Sequence, residues 1–243
     1  MKLAEVCVVL CAGRGERMLP PLAKVAIEIG GRPMFAHVID YWKHRVDRFV
    51  FVVGYKKRDV INAAQGEGVA GGCAYVEQTN PRGIAHAVSL VRRYVGQNFV
   101  VALGDCLQAG YFVDWPDYMD CGVGVWRRGV KQGSPTEGDI RQGYAVDVID
   151  EMVMQVREKP EVVGNGLCGM GTYYFNRRVF DYINKTPPSS LRGEIEITDV
   201  VQRMIDAGEG VKPLWFHGDY INVTYVTDLE RAEKMLQAGA VSA

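Results

Sequence analysis

Two cations bracket a glycine-rich turn near the start of the chain. The segment Gly13-Arg14-Gly15-Glu16-Arg17-Met18 follows an apolar run over residues 6–13, and Lys24 stands seven residues after Arg17. Glycines that follow a strand let backbone N–H groups close on an anion, and Leu10, Ala12, Gly13, Arg14, Gly15 and Glu16 around them are the candidate nucleotide-binding residues. A triphosphate carries about four negative charges near neutrality, and cleaving it requires that those charges be neutralised. Arg17 offers a planar, fixed cation and Lys24 a flexible one, and together they suit that task. Two other uses of such a loop are set aside. A dinucleotide fingerprint wants a third glycine where Met18 stands and an immediate helix, which Pro20 and Pro21 contradict, so a nicotinamide oxidoreductase is not expected. A kinase-type phosphate loop wants Gly-Lys-Ser/Thr, which is absent.

The elements that would hold these residues read as alternating strands and helices. Apolar runs over 6–13, 48–54, 73–76 and 99–103 predict strands, and helical spacing predicts helices from Pro33 (Phe35, Val38, Ile39 and Trp42) and over 83–94. This is the pattern of a parallel sheet with crossover helices, whose ligands bind at the carboxyl ends of strands. The second half carries strand signals at 123–126, 144–149, 153–158 and 171–175 and helices at 178–184, 197–207 and 227–237. No linker or repeat separates the halves.

The chain of 243 residues is 48% hydrophobic, 23% charged and has a formal net charge of −1, which excludes neither a large core nor a small ligand but gives no basic face for nucleic acid or anionic membrane. Cys7, Cys11, Cys73, Cys106, Cys121 and Cys168 form no metal-type spacing and are expected as small buried residues. Glu5 and the glycine at 13 end the N-terminal apolar stretch too early for a membrane span or signal core, so a cytoplasmic location is expected.

Taken in order, LCAGRGERM, Ala23-Lys24 and GGRPMFAHVID resemble the opening of the sugar-1-phosphate nucleotidyltransferase family, with Ala23 at the usual proline. The resemblance implies an α/β fold, a three-layer Rossmann-like mixed sheet of the nucleotide-diphospho-sugar transferase (GT-A) type. It further implies a single domain over 1–243, with a nucleotide-binding lobe at 1–110 and a sugar-phosphate-binding lobe at 111–243. The short Arg-to-Lys interval is more similar to N-acetylglucosamine-1-phosphate uridylyltransferases than to thymidylyltransferases.

Five further segments extend the resemblance to residue 238. Glu77 to Ala87 (EQTNPRGIAHA) resembles the segment in which a glutamine side chain and a glycine backbone bond the pyrimidine edge, roles that fall on Gln78 and Gly83. A carboxamide has both a donor and an acceptor, so Gln78 can meet uracil or thymine and, by flipping, cytosine. His86 reads as a helix residue. Asp105 in Leu-Gly-Asp takes the place of the family's Mg²⁺ carboxylate, and Asn222 that of its second ligand; oxygen donors suit this hard ion. Glu158-Lys159-Pro160 matches the Glu-Lys-Pro motif, with Glu158 for sugar hydroxyls and Lys159 for the sugar phosphate. Tyr144, Ala145, Gly171 and Tyr173 align with the sugar pocket. Arg192 to Val200 (RGEIEITDV) is similar to a segment of glucose-1-phosphate thymidylyltransferases, with Glu194 and Glu196 expected on one strand face and Thr198-Asp199 as a helix cap.

The expectation is therefore a Mg²⁺-dependent transfer from UTP or dTTP to a sugar-1-phosphate, with catalytic Arg17, Lys24, Asp105 and Lys159. Its partners are these small molecules, with a homo-oligomer as a further possibility. A cytidylyltransferase acting on a phosphoalcohol or phosphonate, and a binding subunit without turnover, are the alternatives. No left-handed helix repeat is present, so an attached acetyltransferase is not expected.

Overall fold

The computed structural model describes residues 2–15, 23–67, 72–113, 115, 119–127, 135–190 and 193–240. Glu16, Arg17, Met18 and the prolines at 20 and 21, together with Arg192, lie outside the described residues.

Strand β1 (Ala4–Cys11) is buried on both faces: Cys7, Val9 and Cys11 join one core and Val6 and Val8 the other. Such two-sided burial calls for a near-continuous apolar run, which AEVCVVLC supplies. A short hairpin, β2 (Glu28–Ile29) with β3 (Arg32–Pro33), leads into α1 (Met34–Trp42). Then come β4 (Val46–Val53), α2 (Lys57–Gly66), β5 (Cys73–Glu77), α3 (Ile84–Ser89) and β6 (Asn98–Leu103). β1 runs parallel to both β4 and β6, and β4 parallel to β5, so the carboxyl ends of all four strands share one edge.

The rest of the chain adds β7 (Cys106–Val113), β8 (Cys121–Arg127), α4 (Glu137–Gln142), β9 (Tyr144–Ile149), β10 (Met152–Glu158), β11 (Leu167–Asn176), α5 (Val179–Lys185), α6 (Ile197–Asp206), β12 (Val211–Asn222) and α7 (Val226–Ala240). All strands except the hairpin form one ten-stranded sheet in the order β5-β4-β1-β6-β11-β8-β12-β7, with β9 joining β11 to β10. Helices α1, α2 and α7 contribute to the core on one face, and α3, α5 and α6 to the core on the other, giving three layers. Residue 110 lies inside β7, which sits at the far edge from β5.

β11 is the hinge between the parallel and antiparallel parts: all ten of its residues are buried, and it pairs antiparallel with β6, β8 and β9. Its register shifts between Gly169 and Tyr173. There the Tyr144 ring lies flat over Gly169, its hydroxyl donating to the Met170 carbonyl at 2.9 Å, and a Cβ on Gly169 would fall inside that ring. Gly169→Ala is therefore expected to destabilise the fold by roughly 1–3 kcal/mol, because a buried ring has nowhere to retreat. A thermal melt should drop by several degrees; an unchanged melting temperature would remove this contact from the account.

Five of the six cysteines are buried and Cys73 is half-buried; all six are free thiols. Among the described residues no helix is long and apolar enough to cross a membrane, and no group of three or more His, Cys, Asp or Glu could hold a metal.

Candidate active site

The turn after β1 packs directly on Lys24. Gly15 has φ +63°, and a Cβ there would lie 2.5 Å from the Lys24 Cβ, so glycine is required both for conformation and for space. Lys24 opens a single 3₁₀ turn, preceded by Ala23 at φ −61° and ψ 130°. That φ is the one a proline ring would impose, and ψ 130° is open to proline as well, so Ala23 reaches a proline-compatible geometry without the ring. Lys24 Nζ then meets Asp105 Oδ2 at 2.6 Å, with side chains 13% and 24% exposed.

Asp105 is held from several sides. The Gly104 N–H donates to the Leu10 carbonyl at 3.0 Å, and a Cβ on Gly104 would crowd Cys11 Sγ at 2.9 Å, so the end of β6 can close on β1 only through glycine. The Val223 N–H donates to the Asp105 carbonyl at 3.0 Å, continuing the β7–β12 pairing in which Cys106 faces Asn222. A buried chain backs the carboxylate: the Gly171 N–H donates to the Tyr220 hydroxyl at 2.9 Å, that hydroxyl donates to Cys106 Sγ at 3.0 Å, and the thiol points to Asp105 Oδ1 at 3.7 Å. Burial pushes both Cys106 and Tyr220 well above their ordinary values, so both stay neutral donors.

The opposite wall begins where β5 ends. The Gln78 N–H donates to the Val53 carbonyl at 2.8 Å, and its buried side chain places Nε2 2.8 Å from His86 Nδ1 and 3.3 Å from the Gly83 carbonyl oxygen. Gly83 precedes α3 at φ +93°, where a Cβ would lie 2.7 Å from the Ile195 carbonyl oxygen. The segment 193–196 crosses at that point, tied by Ile195 N–H to the Arg82 carbonyl at 3.2 Å and by Ala85 N–H to the Ile195 carbonyl at 3.3 Å. Burial, with a smaller push from Arg82, lowers His86 below the ordinary imidazole value, so the neutral ring is the form present at pH 7.

These walls enclose a cavity of about 450 Å³ lined by Leu10, Ala12, Gly13, Arg14, Gly15, Lys24, Gln78, Gly83, Asp105 and Glu194. Glu196, 2% exposed, and Thr224 also line it, polar residues to which the motifs gave no ligand role. Asn222 lines a smaller adjoining cleft of about 30 Å³ with Tyr220, Gln142 and Gly143, and Thr224 borders both spaces. The donor types are compatible with a magnesium ion: one carboxylate from the turn between β6 and β7, and an amide oxygen at the end of β12, which pairs with β7.

Other expected positions lie elsewhere. Tyr144, Ala145, Gly171 and Tyr173 are packed in the interior and line none of these spaces; the Tyr144 and Tyr173 rings stack on each other at 6.2 Å, and the Gly171 N–H is taken by Tyr220. Glu158 and Lys159 close β10 outside both linings, with Lys159 at φ +42°, its N–H on the Gly143 carbonyl at 2.8 Å, and Glu158 Oε2 accepting from the Thr198 hydroxyl at 3.2 Å. The expected strand carrying Glu194 and Glu196 is irregular chain tied to residues 82–85. Nor do Thr198 and Asp199 cap α6: they lie in its first turn, after Glu196 at the cap position. The roles of His86, Cys106 and Tyr220 went unread because each depends on a partner distant in sequence or, for His86, on a turn whose path brings the ring back onto Gln78.

The chain belongs to the nucleotidyl transferase family, whose model matches residues 6–220. It is 29% identical over 234 residues to the bifunctional protein GlmU of Methanocaldococcus jannaschii, covering 94% of this chain and 53% of that protein. It is 28% identical to the UTP–glucose-1-phosphate uridylyltransferase AglF of Haloferax volcanii, covering 95% of this chain and 96% of that one. The chain thus spans about half the length of GlmU and nearly all of AglF. Among solved structures, a UDP-glucose pyrophosphorylase bound to UDP-glucose superposes with a TM-score of 0.81 at 19% identity, covering 97% of this chain and 99% of that one. The inositol-1-phosphate CTP transferase of T. maritima gives 0.80 at 20%, covering 98% and 96%. These likenesses establish the fold as the GT-A-like, Rossmann-type one that the resemblance implied.

Proposed function

We propose that this chain transfers a nucleotidyl group from UTP or dTTP to a sugar-1-phosphate, releasing pyrophosphate. The observation that carries the reading is the convergence on one cavity of an anion-type glycine turn, the Lys24–Asp105 pair and the Gln78 carboxamide. Similarity to AglF over nearly the full length of both chains supports it. An oxygen of the acceptor phosphate attacks the α-phosphorus; that P–O bond forms as the bond to the β-phosphate oxygen breaks, and pyrophosphate leaves with the electron pair. Lys24 and Arg17 neutralise the triphosphate, and Gln78 with the Gly83 backbone holds the base. Lys159 aligns the incoming phosphate, while Glu158 and Glu194 hold sugar hydroxyls. Asp105 and Asn222 would hold Mg²⁺, whose charge offsets that of the phosphate oxygens.

Lys159 stands outside the cavity lining, so in this reading the segment after β10 moves inward when acceptor binds, as closing loops commonly do. The test is pyrophosphate release with Mg²⁺, crossing UTP, dTTP, CTP, ATP and GTP against a panel of sugar-1-phosphates and phosphoalcohols. Release with UTP or dTTP and one sugar phosphate is expected. Release with CTP alone would make the chain a cytidylyltransferase; nucleotide binding without release from any pair would make it a binding subunit.

A further inference from the structure

The Gln78 carboxamide has no freedom to flip. The Gly83 carbonyl oxygen, 3.3 Å away, can only accept, so the amide nitrogen must be the atom that faces it. That nitrogen also lies 2.8 Å from His86 Nδ1, so Nδ1 must be the bare nitrogen of the ring and take the second amide hydrogen. Turning the amide over would set Oε1 against the Gly83 oxygen, exchanging that hydrogen bond for an acceptor–acceptor contact, and would force the His86 proton from Nε2 to Nδ1 to keep the second. With both N–H groups committed, Oε1 is the polar atom that Gln78 has left for the cavity it lines. The sequence alone left both orientations open; the fold removes one.

We propose that His86 is a positioning residue that determines base specificity: by accepting from Gln78 it fixes the carboxamide oxygen toward the base, favouring uracil or thymine over cytosine. The inference rests on the reading that Gln78 meets the base. Uracil and thymine carry a donor at N3, which an oxygen acceptor satisfies. Cytosine presents a bare acceptor there, and its donor lies further along the edge on the exocyclic amino group. A site that leaves two acceptors facing each other discriminates more strongly than one that merely lacks a contact.

Local structure keeps the ring in place. His86 sits three residues after Gly83 in the first turn of α3, on the side that returns to Gln78, and its carbonyl accepts from the Ser89 hydroxyl at 2.7 Å. Its neutral state at pH 7 leaves Nδ1 able to accept.

The experiment is calorimetric titration of UTP and of CTP, with Mg²⁺, into the wild-type chain, His86→Leu and Gln78→Ala, with nitrogen-15 NMR of the wild-type imidazole. The wild type should prefer UTP; His86→Leu should narrow the UTP-to-CTP preference by about tenfold, as expected for freeing one buried hydrogen-bond partner. Gln78→Ala should weaken UTP, and Nδ1 should show the resonance of an unprotonated nitrogen. An unchanged preference in folded His86→Leu, alongside a loss in Gln78→Ala, overturns the role of His86 and spares the base reading. No loss in Gln78→Ala overturns both. Should His86→Leu fail to fold, the wild-type ring decides, since a proton on Nδ1 overturns the proposal by itself.

Discussion

Replacing Lys24 by alanine is expected to lower turnover by about 10²–10³, the loss typical of removing one preorganised group from a developing charge. The geometry adds a second, opposite effect. Lys24 Nζ is bound to Asp105 Oδ2 at 2.6 Å in a largely buried pair, so the lysine neutralises the carboxylate proposed to hold the metal. A triphosphate would bring negative charge to the lysine while a divalent cation takes its place at the carboxylate, and each event favours the other. Removing the lysine leaves Asp105 without its competitor, and Mg²⁺ should then bind the nucleotide-free protein more tightly than it binds wild type. Loss of turnover with tighter metal binding is the signature of this exchange; a variant that is merely misfolded loses both. Breaking one side of a buried pair also costs stability, so the comparison belongs with Lys24→Met, which keeps most of the aliphatic stem. Full turnover in either variant would remove Lys24 from the chemistry.

The parallel half of the sheet was legible because its strands are buried on both faces and must be continuously apolar: β1, β4 and β6 stand close to their expected bounds. β7 and β12 were not read, and the reason is physical. Gly110 and Gly218 face each other in register, and a Cβ on either would collide with the backbone of the opposite strand. Glycines that sequence reasoning counts as breakers are here what lets the two strands approach. Pro213 further interrupts the β12 pattern. α2 escaped because only Val60 and Ala64 are buried, too narrow a stripe to leave a period. α4 is six residues long, and the local signal at its start is a reciprocal Thr136–Asp139 capping box.

The site divides in the same way. The residues proposed for the nucleotide share one cavity, and the sequence could group them because the turn after β1, the segment after β5 and the end of β6 each follow a strand and carry their chemistry in adjacent residues. The acceptor side was less so. Tyr144 and Tyr173 fall on strands whose side chains point into the core, and period-2 alternation decides which neighbours reach a ligand, a phase that motif alignment does not supply. The backbone beside Asn222 is joined to that of Asp105 through the unread β7–β12 pair, with Cys106 opposite Asn222 and the Val223 N–H on the Asp105 carbonyl.

That pair makes Asp105 the strongest single test of the proposed metal site. Asp105→Asn is expected to reduce turnover by about 10³, because it removes the one negative charge of the two proposed ligands while leaving an oxygen of nearly the same shape. Asn222 cannot compensate, since an amide oxygen coordinates through its dipole alone. The substitution also turns the Lys24 contact from an ion pair into a neutral acceptor, which frees Lys24 for the triphosphate. Nucleotide affinity measured without metal should therefore hold or rise while the Mg²⁺-dependent rate collapses. The Cys106–Tyr220–Gly171 chain behind the carboxylate bears on the same variant: Cys106 Sγ–H faces Oδ1 at 3.7 Å, and asparagine must present its oxygen to either the thiol or Lys24, leaving its NH₂ against the other. Against Lys24, an amide nitrogen meets a cation with no lone pair, so the oxygen goes to Lys24 and the NH₂ to the sulfur. Steady-state pyrophosphate release across a Mg²⁺ series, with nucleotide binding in chelator, separates these effects. Unchanged turnover at saturating Mg²⁺ would sink the assignment of Asp105, and with it the proposed metal site.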